Sequence, residues 1–460
     1  MKKSILSLVA LAATLSMAAE GYQVNSLSAK QEGMAHVGTG LKLGAESMIF
    51  NPAGMAFMDK SLDLTAKVSI IKSNVKATVN GKEYETSNDP STPFAINAAF
   101  SIYDNLKAGI TINTPYGSGM DWSNNWAGSM LNQSVKLSIF NVQPTVSYRI
   151  LPNLSVGAGM MITWGNVDLN KGLVDPATLD KALALQAQAM GQPAPEAFGE
   201  TAPASVNLKG NAEIALGYNV GIMWDITDQI TVGASYRSKM DMKVKSGDAK
   251  LTYANALAEN ALGTLVGLNG ANFKASMPAV SILSFGISYR PIEKLTIAFD
   301  AQMTGWSAYD KLNIEFLDDK LSAFNQNITK NYSDSWAYRL GAQYALTNRF
   351  DLRAGCYVDT TPVDDNHYNP ETPGMTRVCP SVGFSFRPIE RVSIDLAFTY
   401  VAGLGADNKN CNYDDLVAAQ QYAQNPQLAQ LNYFGPVQKT FTADYKLNAL
   451  IPAIGVSYSF

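Results

Sequence analysis

The chain has 460 residues, of which 16% are charged and 10% aromatic, and its formal net charge is −4 at pH 7. The acidic balance argues against a nucleic-acid partner, because such proteins neutralise phosphates with an excess of Lys and Arg. The 2 histidines and 3 cysteines lack the close spacing that zinc sites use. We therefore expect no metal and no other cofactor.

The first residues have the pattern of a secretory signal peptide. Two lysines precede an apolar run that is shorter than the roughly 20 residues of a membrane-spanning helix. Small residues at Ser16 and Ala18 suit cleavage. We predict a signal peptide over residues 1–19, cut after Ala18 or Ala19. No later apolar run is long enough to predict a transmembrane helix.

Residues 20–60 come before the first strand pattern and show no long alternation of apolar and polar residues. They are rich in Gly, Ala, Ser and Met, and they contain a compact turn at Asn51-Pro52-Ala53-Gly54. Where this segment lies depends on the strands that follow it.

Residues 61–460 alternate between apolar and polar side chains, which is typical of β-strands with two different faces. An even number of antiparallel strands suits a closed bacterial barrel. The pattern predicts fourteen strands, centred near residues 68, 97, 110, 144, 160, 218, 235, 284, 300, 340, 355, 382, 397 and 452.

Short turns alternate with long polar connections along this region, and this asymmetry is typical of outer-membrane barrels. We predict an all-β fold, a 14-stranded antiparallel transmembrane β-barrel over residues 61–460. Residues 20–60 then form a hatch that plugs its lumen. Aromatic residues precede the short turns and predict the periplasmic girdle, at Tyr103, Tyr148, Trp224, Tyr289, Tyr344 and Phe386. Others at the opposite strand ends predict the outer girdle, at Trp164, Tyr236, Trp306 and Tyr400.

Two long connections carry helix patterns with an apolar face. Asp175-Pro176 is a favourable helix start, and apolar residues recur after it at helical spacing. A similar pattern begins near Leu257. The chain ends in an alternating strand whose last residue is Phe460, which resembles the signal read by the outer-membrane assembly machinery. We expect that machinery as a partner.

The chain resembles the FadL family of outer-membrane transporters for hydrophobic compounds. "NPAGMAFM" from Asn51 is similar to the hatch motif of that family, and "INTPYGSGMDW" from Ile112 is similar to its third strand. The resemblance covers the whole mature chain. It implies uptake of long-chain fatty acids or aromatic hydrocarbons, with capture in an outer groove, transfer to an inner pocket, movement of the hatch and lateral exit through the barrel wall.

The resemblance also implies site residues. The loop helices would form the capture groove, unless they only pack on each other, with candidates Leu179, Leu183, Met190, Leu257 and Leu265. Pro and Gly would interrupt the third strand at a lateral opening close to Asn51-Pro52-Ala53, unless they only begin a loop, with candidates Asn113, Pro115, Gly117 and Gly119. Inward cations would bind a carboxylate headgroup, unless they pair with Asp63, Asp300 or Asp395, with candidates Lys67, Arg237, Arg339 and Arg353.

We predict a transporter of hydrophobic molecules, foremost long-chain fatty acids, that is integral to the outer membrane of a Gram-negative bacterium and is monomeric. A haem receptor using His36 and His367 and a general diffusion porin are the alternatives. Neither histidine has a nucleophile or acid partner in the sequence, so we do not expect an enzyme. Strand parity points Cys356 outward and Cys379 inward, which argues against a disulfide between them.

Overall fold

The structure is a computed structural model that describes residues 21–460. The predicted signal peptide, residues 1–19, lies outside the described residues. The strands, numbered β1 to β21 along the chain, belong to one sheet in which every pairing is antiparallel. Fourteen of them form a ring, namely β1 (Leu62–Ser69), β4 (Phe94–Tyr103), β5 (Leu106–Asp121), β6 (Ser134–Leu151), β7 (Leu154–Gly172), β8 (Ala204–Asp225), β9 (Ile230–Arg237), β12 (Ile282–Ile292), β13 (Leu295–Thr304), β16 (Ser335–Thr347), β17 (Phe350–Asp359), β18 (Arg377–Ile389), β19 (Val392–Gly403) and β21 (Gln438–Ser459).

The ring is closed because β21 pairs with β1, with Ile454 opposite Val68. This confirms the predicted fold class, and each predicted strand centre lies within one ring strand. Short turns such as Pro152-Asn153 join the strands at one end of the ring, whereas the connections at the other end run to the length of residues 238–281.

The other strands lie in the long connections and extend the wall beyond the ring. They are β2 (Lys72–Val79), β3 (Lys82–Glu85), β10 (Met240–Tyr253), β11 (Asn272–Ala279), β14 (Lys311–Phe316), β15 (Gln326–Thr329) and β20 (Ala406–Asp414). The helices are α1 (Ala29–Glu32), α2 (Ser47–Phe50), α3 (Pro176–Ala189), α4 (Ala256–Ala261), α5 (Leu416–Gln424) and α6 (Pro426–Gln430). Short 3₁₀ turns cover Gly44–Glu46, Pro52–Phe57, Gly263–Leu268, Trp306–Ala308 and Asp319–Phe324.

The outward faces of the ring strands are apolar. Ile96 and Phe100 on β4 are 50% and 48% exposed, whereas Asn97 between them is buried. Five of the aromatic residues that precede the short turns are also exposed, namely Tyr103, Tyr148, Trp224, Tyr289 and Tyr344. A continuous apolar surface of this kind is compatible with lipid rather than with water. In the described part of the chain, every helix is too short or too polar to cross a membrane.

The prediction that Trp306 belongs to the outer girdle is wrong. Its side chain is fully buried, and its ring lies 4.8 Å from the ring of Tyr22 in an edge-to-face arrangement. The chain leaves β13 at Thr304 and turns over the lumen through a 3₁₀ turn. A strand-end aromatic predicts a girdle only where the chain continues along the wall, and here it does not.

Candidate functional site: the hatch, the interrupted strand and the apolar pocket

The described part of the hatch, residues 21–60, lies inside the ring on a belt of glycines. Each of these glycines faces inward, and a Cβ added to any of them would lie within 3.0 Å of a hatch atom. Several pair directly, for example Gly157 with Gly221 and Gly341 with Gly355. We call the set the glycine belt: Gly109, Gly157, Gly221, Gly233, Gly286, Gly341, Gly355, Gly383 and Gly455. It lets the backbones of hatch and barrel touch, since any side chain would hold them apart.

The motif Asn51-Pro52-Ala53-Gly54 is fixed against this belt. The Asn51 amide donates to the carbonyls of Thr39 (2.9 Å) and Ile222 (3.0 Å), and its oxygen accepts from the Ala53 N–H (3.1 Å). Asn51 thus links the hatch to itself and to β8. Pro52 lies directly over Gly157 on β7. The side chain of Asn51 is fully buried, so each of these bonds is shielded from water.

The interruption predicted in the third ring strand is present as a β-bulge. The register of β5 against β6 shifts between Asn113 and Tyr116, which leaves Thr114 and Pro115 opposite Phe140. The ladder with β4 ends at Asn113, yet β5 continues to Asp121. The alternative that this stretch only begins a loop is therefore wrong. All four opening candidates, Asn113, Pro115, Gly117 and Gly119, lie within β5.

Beyond the bulge, the first residues of the hatch replace β4 as the neighbour of β5. The Val24 N–H donates to the Pro115 carbonyl (2.9 Å), and the Gly117 N–H donates to the Tyr22 carbonyl (2.8 Å). The outer half of β5 therefore bonds to the hatch on the side where β4 has ended, and it stays paired with β6 on its other side. Asn51 and Pro52 lie against β8 and β7, and the Ala53 carbonyl accepts from Ser147 on β6 and Ser155 on β7. That this motif adjoins the opening stays a prediction.

Two tyrosines bind this junction to the opposite side of the lumen. The Tyr116 hydroxyl donates to the Val280 carbonyl (2.8 Å), and the Tyr22 hydroxyl donates to the Pro278 carbonyl. Both rings are buried. The two acceptors lie at the end of β11 and just before β12, so the hydroxyl bonds span the lumen from β5 and the hatch.

An apolar pocket of about 80 Å³ lies over this junction, at the end of the barrel with the long connections. Its walls come from β5 to β8 and from β10, β11 and β14. Its lining contains neither Lys nor Arg, and Glu371 is its one carboxylate. The side chains that dominate the walls are Val135, Leu137, Val167, Leu169, Leu208, Met242, Val244, Phe273, Leu312 and Ile314, with Tyr22 and Tyr309 beside them.

The groove candidates lie outside the lining of this pocket. Helix α3 begins after Asp175 as predicted and packs against α5, whereas α4 packs against β10. Leu179 and Leu183 lie on α3, Leu257 lies on α4, and Leu265 lies in the 3₁₀ turn Gly263–Leu268, so the candidates belong to segments with different neighbours. Leu179 is buried, Met190 is 57% exposed just past the end of α3, and the others are partly buried, namely Leu183, Leu257 and Leu265.

A charged cluster joins α3 to α5. Asp175 and Asp415 are the N-caps of the two helices, and the Lys439 ammonium lies 3.1 Å and 2.7 Å from their carboxylates. Burial alone would raise the pKa of Asp175, but the hydrogen bond from Tyr413 and the charge of Lys439 outweigh burial and hold this pKa below its ordinary value. Asp175 therefore stays ionised as a cap and an ion-pair partner.

Two of the four inward cations are already paired. The Lys67 ammonium donates to the Ser26 carbonyl (2.6 Å) and lies 3.2 Å from Glu32 of the hatch. Arg353 donates to Gln343 (2.7 Å) and lies 3.5 Å from Asp351. These two cations hold the hatch and the wall, so a substrate headgroup would have to displace a protein partner.

Arg237 and Arg339 line a second, polar pocket of about 50 Å³ beside hatch residues. Arg237 donates to the Ile49 carbonyl (2.9 Å), and Arg339 donates to Gln302 (2.9 Å). Among the described residues, the Nε–H of each has no acceptor. Two buried guanidinium groups with donors to spare can bind an oxyanion.

The histidines do not converge on one site. His36 is buried in the hatch beside the Tyr357 ring, whereas His367 is one-third exposed and pairs with Asp364 at 2.9 Å on a long connection. Within residues 21–460, His, Cys, Asp and Glu form no group of three or more that could hold a metal ion. Cys356 and Cys379 lie on opposite faces of neighbouring strands, exposed and buried respectively.

A polar cavity of about 400 Å³ separates the underside of the hatch from the end with the short turns. Lys30, Glu46, Asp351, Arg353 and Arg387 are among its lining residues. An apolar molecule passing straight down the barrel would have to cross this charged space, and burying charge against hydrocarbon is unfavourable.

Sequence reasoning missed Glu371 and its partner Lys330. Both lie in long connections without a regular pattern, and they meet only because two distant loops close over the lumen. It also missed Tyr309, which follows β13 by five residues and lines the apolar pocket. No spacing in the sequence links these three residues.

The closed ring with an apolar exterior and a plugged lumen defines an outer-membrane barrel that does not form an open pore. A family model described as outer membrane protein transport protein (OMPP1/FadL/TodX) matches residues 9–460. The chain belongs to this family, whose members transport hydrophobic compounds across the outer membrane. It is thus an outer-membrane transport protein of a Gram-negative bacterium.

Relatives and solved structures agree with this assignment. The chain is 25% identical over 433 residues to a putative outer membrane protein of Neisseria meningitidis, covering 87% of this chain and 90% of the relative. It is 25% identical to a long-chain fatty acid transport protein of Escherichia coli, covering 87% and 91%. A Pseudomonas aeruginosa FadL homologue superimposes with a TM-score of 0.76 at 19% identity, covering 96% and 100%. The Pseudomonas putida toluene transporter TodX superimposes with a TM-score of 0.65 at 14% identity, covering 97% and 99%.

Proposed function

We propose that this protein receives a hydrophobic compound in the apolar pocket and releases it sideways, through the wall at the β5 bulge. The observation that carries the proposal is the position of the pocket, whose floor at Tyr22 borders the stretch where β5 leaves β4. The hatch, which packs on the glycine belt, and the polar cavity beneath it block a straight path through the barrel for an apolar compound. Capture by the outer loops, at Leu179, Leu183, Met190, Leu257 and Leu265, belongs to the same proposal.

Long-chain fatty acids are the first candidate substrate. Burying an alkyl chain yields about 0.8 kcal/mol per CH₂, so an apolar pocket favours such a chain strongly. The carboxylate would bind at Arg237 and Arg339, where the Nε–H groups lack acceptors, rather than at Lys67 or Arg353, which are already paired. The E. coli relative named above is a long-chain fatty acid transport protein.

The test is palmitate uptake by cells that lack their own fatty acid importer. The double variant Arg237→Gln with Arg339→Gln should lower uptake at least about tenfold, since two charge-assisted bonds are lost. Arg290→Gln, an exposed arginine in the polar cavity, is the matched control and should transport like the wild type. Normal uptake by the double variant would exclude this headgroup site.

A small neutral hydrophobic compound is the second candidate. The observation that favours it is the apolar pocket itself, with its volume of about 80 Å³ and no cation in its lining. One solved structure of similar fold is a toluene transporter. Mass spectrometry of the lipids extracted from the purified protein distinguishes the candidates, because a bound fatty acid and a bound neutral compound differ in mass and charge.

We also propose the boundaries and partners expected from the sequence. Residues 1–19 are a signal peptide, residues 20–60 act as the hatch, and residues 61–460 form a monomeric barrel that outer-membrane lipid surrounds. The last strand, ending in Phe460, engages the assembly machinery. A general diffusion porin would let sugars swell liposomes that contain the protein, and a haem receptor would bind haem through His36 or His367. Our proposal predicts neither result.

A further inference from the structure

The polar end of the apolar pocket is formed by Glu371 and Thr372. Both belong to the long connection after β17, and both line the pocket. The Asn369 side chain accepts from the Glu371 N–H (3.0 Å), and the Thr372 hydroxyl is hydrogen-bonded to the Tyr332 hydroxyl (2.8 Å). Glu371 is therefore held in place from both sides, by its own backbone and by its neighbour in the chain.

Lys330 approaches Glu371 from outside the pocket lining. Its side chain is fully buried, its ammonium forms an ion pair with Oε1 of Glu371, and it lies 5.7 Å from the centroid of the Tyr309 ring. Lys330 does not line the pocket, whereas Glu371 and Tyr309 do. A ligand in the pocket thus contacts the acidic member of the pair, and the cation lies behind it.

This arrangement discriminates between polar end groups. A carboxylate accepts hydrogen bonds but cannot donate one, so a ligand carboxylate beside Glu371 would be repelled and could not form a hydrogen bond with it. A hydroxyl group can donate to Glu371 and accept from the Tyr309 hydroxyl. A site built to bond a hydroxyl group rejects analogues that lack the donor.

We propose that Glu371, with Lys330 behind it, makes the apolar pocket selective for hydrophobic alcohols or phenols over hydrophobic carboxylates. The inference rests on the proposed function, because it assumes that the pocket holds the transported compound. A fatty acid carried by this protein would then have to place its carboxylate at Arg237 and Arg339, away from this pocket. Glu371 is a specificity residue that sequence patterns did not reveal.

The experiment compares two small ligands of equal chain length, hexan-1-ol and hexanoate. Binding of each radiolabelled probe is measured on the full chain in lipid nanodiscs, at about pH 9 so that the carboxylate is ionised. Every chain in this experiment also carries Arg237→Gln and Arg339→Gln, which removes the proposed headgroup site, and wild type here refers to residues 330 and 371. Empty nanodiscs give the partition into lipid. We expect the wild type to prefer the alcohol at least about tenfold after this correction, which corresponds to 1.4 kcal/mol.

Two variants test whether Glu371 causes the preference. Glu371→Gln removes the negative charge and keeps the shape, and we expect the preference to fall to about threefold or less. Because it leaves Lys330 buried without its counter-charge, the double variant Lys330→Met with Glu371→Leu serves as a second test, since replacing both members of a buried pair is tolerated. Asp365→Asn is the matched control. Asp365 lies on the same connection as Glu371 but outside the pocket, and its exposed carboxylate pairs with Lys409 of β20. This variant should keep the wild-type preference.

The outcomes separate the two proposals. If neither probe binds above the empty nanodiscs, the proposed function of the pocket fails. If a probe binds but the wild type does not prefer hexan-1-ol over hexanoate, or if both Glu371 variants keep the wild-type preference, only the inference about Glu371 is overturned.

Discussion

Residues Asn51–Gly54 and residues Tyr22–Val24 belong to the same hatch, yet the barrel holds them in different ways. The first segment lies backbone to backbone on the glycine belt and is bonded through a fully buried asparagine. The second segment is bonded to one strand, β5, where that strand has already left its neighbour β4. Its side chains add the Tyr22 hydroxyl bond to Pro278 across the lumen, a bond from the Thr304 hydroxyl to Gln23, and a bond from Gln23 to Asn25.

This difference indicates which part of the hatch can move more easily. Moving the first segment would break close packing along several strands at once, and packed interfaces of this kind do not deform gradually. Moving the second segment would break a few hydrogen bonds, each with a net value of about 1 kcal/mol. It would also break the edge-to-face packing of Tyr22 on Trp306 and Tyr309, but it would leave the contacts along the glycine belt intact. We therefore expect the belt-side segment to stay fixed while Tyr22–Val24 opens the pocket toward the bulge.

Gly221→Ala should have the largest effect, because it disrupts the packing of Asn51–Gly54 on the glycine belt. The new Cβ would lie 2.0 Å from Oδ1 of Asn51, so the hatch motif must move. We expect a loss of about 3 kcal/mol from overpacking. The measurement is ion conductance in planar bilayers, where the wild type should be closed and the variant should leak. Gly263→Ala, at a glycine with nothing within 4 Å, is the control. A closed Gly221→Ala barrel would show that the belt does not seat the hatch.

Asn51→Ala should have the next largest effect on the same side. It leaves the Thr39 and Ile222 carbonyls without their donor and removes the cap of the 3₁₀ turn, with a cost of about 2 kcal/mol. Asn51→Asp restores the cap but not the donors and should recover only part of this cost. Resistance of the hatch to protease measures both variants. Equal resistance of Asn51→Ala and the wild type would contradict the assigned role.

Tyr22→Phe and Tyr116→Phe test whether the Tyr22–Val24 segment can move separately from Asn51–Gly54. Each loses one hydroxyl bond to a carbonyl and should cost about 1 kcal/mol. The effect should be local, since the belt is untouched. Hydrogen exchange at the Val24 and Gly117 amides should become faster, whereas exchange at the Ala53 amide should not change. Equal acceleration at all three amides would mean that the hatch moves as one body.

The smallest effect should come from Asp175, far from both segments of the hatch. Its folded pKa is lowered, so its stabilisation is present above the unfolded pKa of about 3.9 and is lost as pH falls through the folded value. Asp175→Asn keeps a capping oxygen but removes the charge that pairs with Lys439, so it should remove this pH dependence and cost about 1 kcal/mol at neutral pH. Hydrogen exchange of α3 at pH 7 and pH 3, corrected for intrinsic rates, measures it, with Asp241→Asn as the exposed control. An unchanged pH dependence would exclude Asp175 as the titrating group.

The sequence predicted the barrel wall better than it predicted the contact between the wall and the hatch. Alternation in β5, β7 and β8 predicts the wall, its two faces and the interruption at Pro115, because those signals are local. Alternation also places Gly157 and Gly221 on the inner face, but it cannot show that the hatch lies against them. That contact depends on how the hatch folds within the closed ring.

The pocket was less predictable than the wall for the same reason. The Lys330–Glu371 pair joins two loops, and the Lys67–Glu32 pair joins the wall to the plug. Both are long-range contacts between residues in different surroundings of the sequence. The predicted helix start at Asp175 was correct because a cap and its helix are neighbours in the chain, whereas the packing partner of α3 was not predicted.

Deletion of Pro115 tests the lateral exit most directly. It removes the extra residue of the bulge, so that Thr114 can pair with Phe140 while Tyr116 stays opposite Ile139. The triple variant Pro115→Val, Gly117→Ala and Gly119→Ala keeps the extra residue but restores the N–H donor that proline lacks, so it tests the residue types of this stretch apart from its length. Deletion of Gly191, in the long connection after α3, controls for the loss of a residue.

The readout is uptake of a labelled hydrophobic compound by cells in which each variant assembles as a heat-modifiable barrel. The account predicts that the Pro115 deletion loses uptake at least about tenfold, because a regular ladder closes the wall, that the triple variant loses less, and that the Gly191 deletion transports normally. Wild-type uptake by a variant whose β5 is shown to be regular would contradict lateral exit at this site.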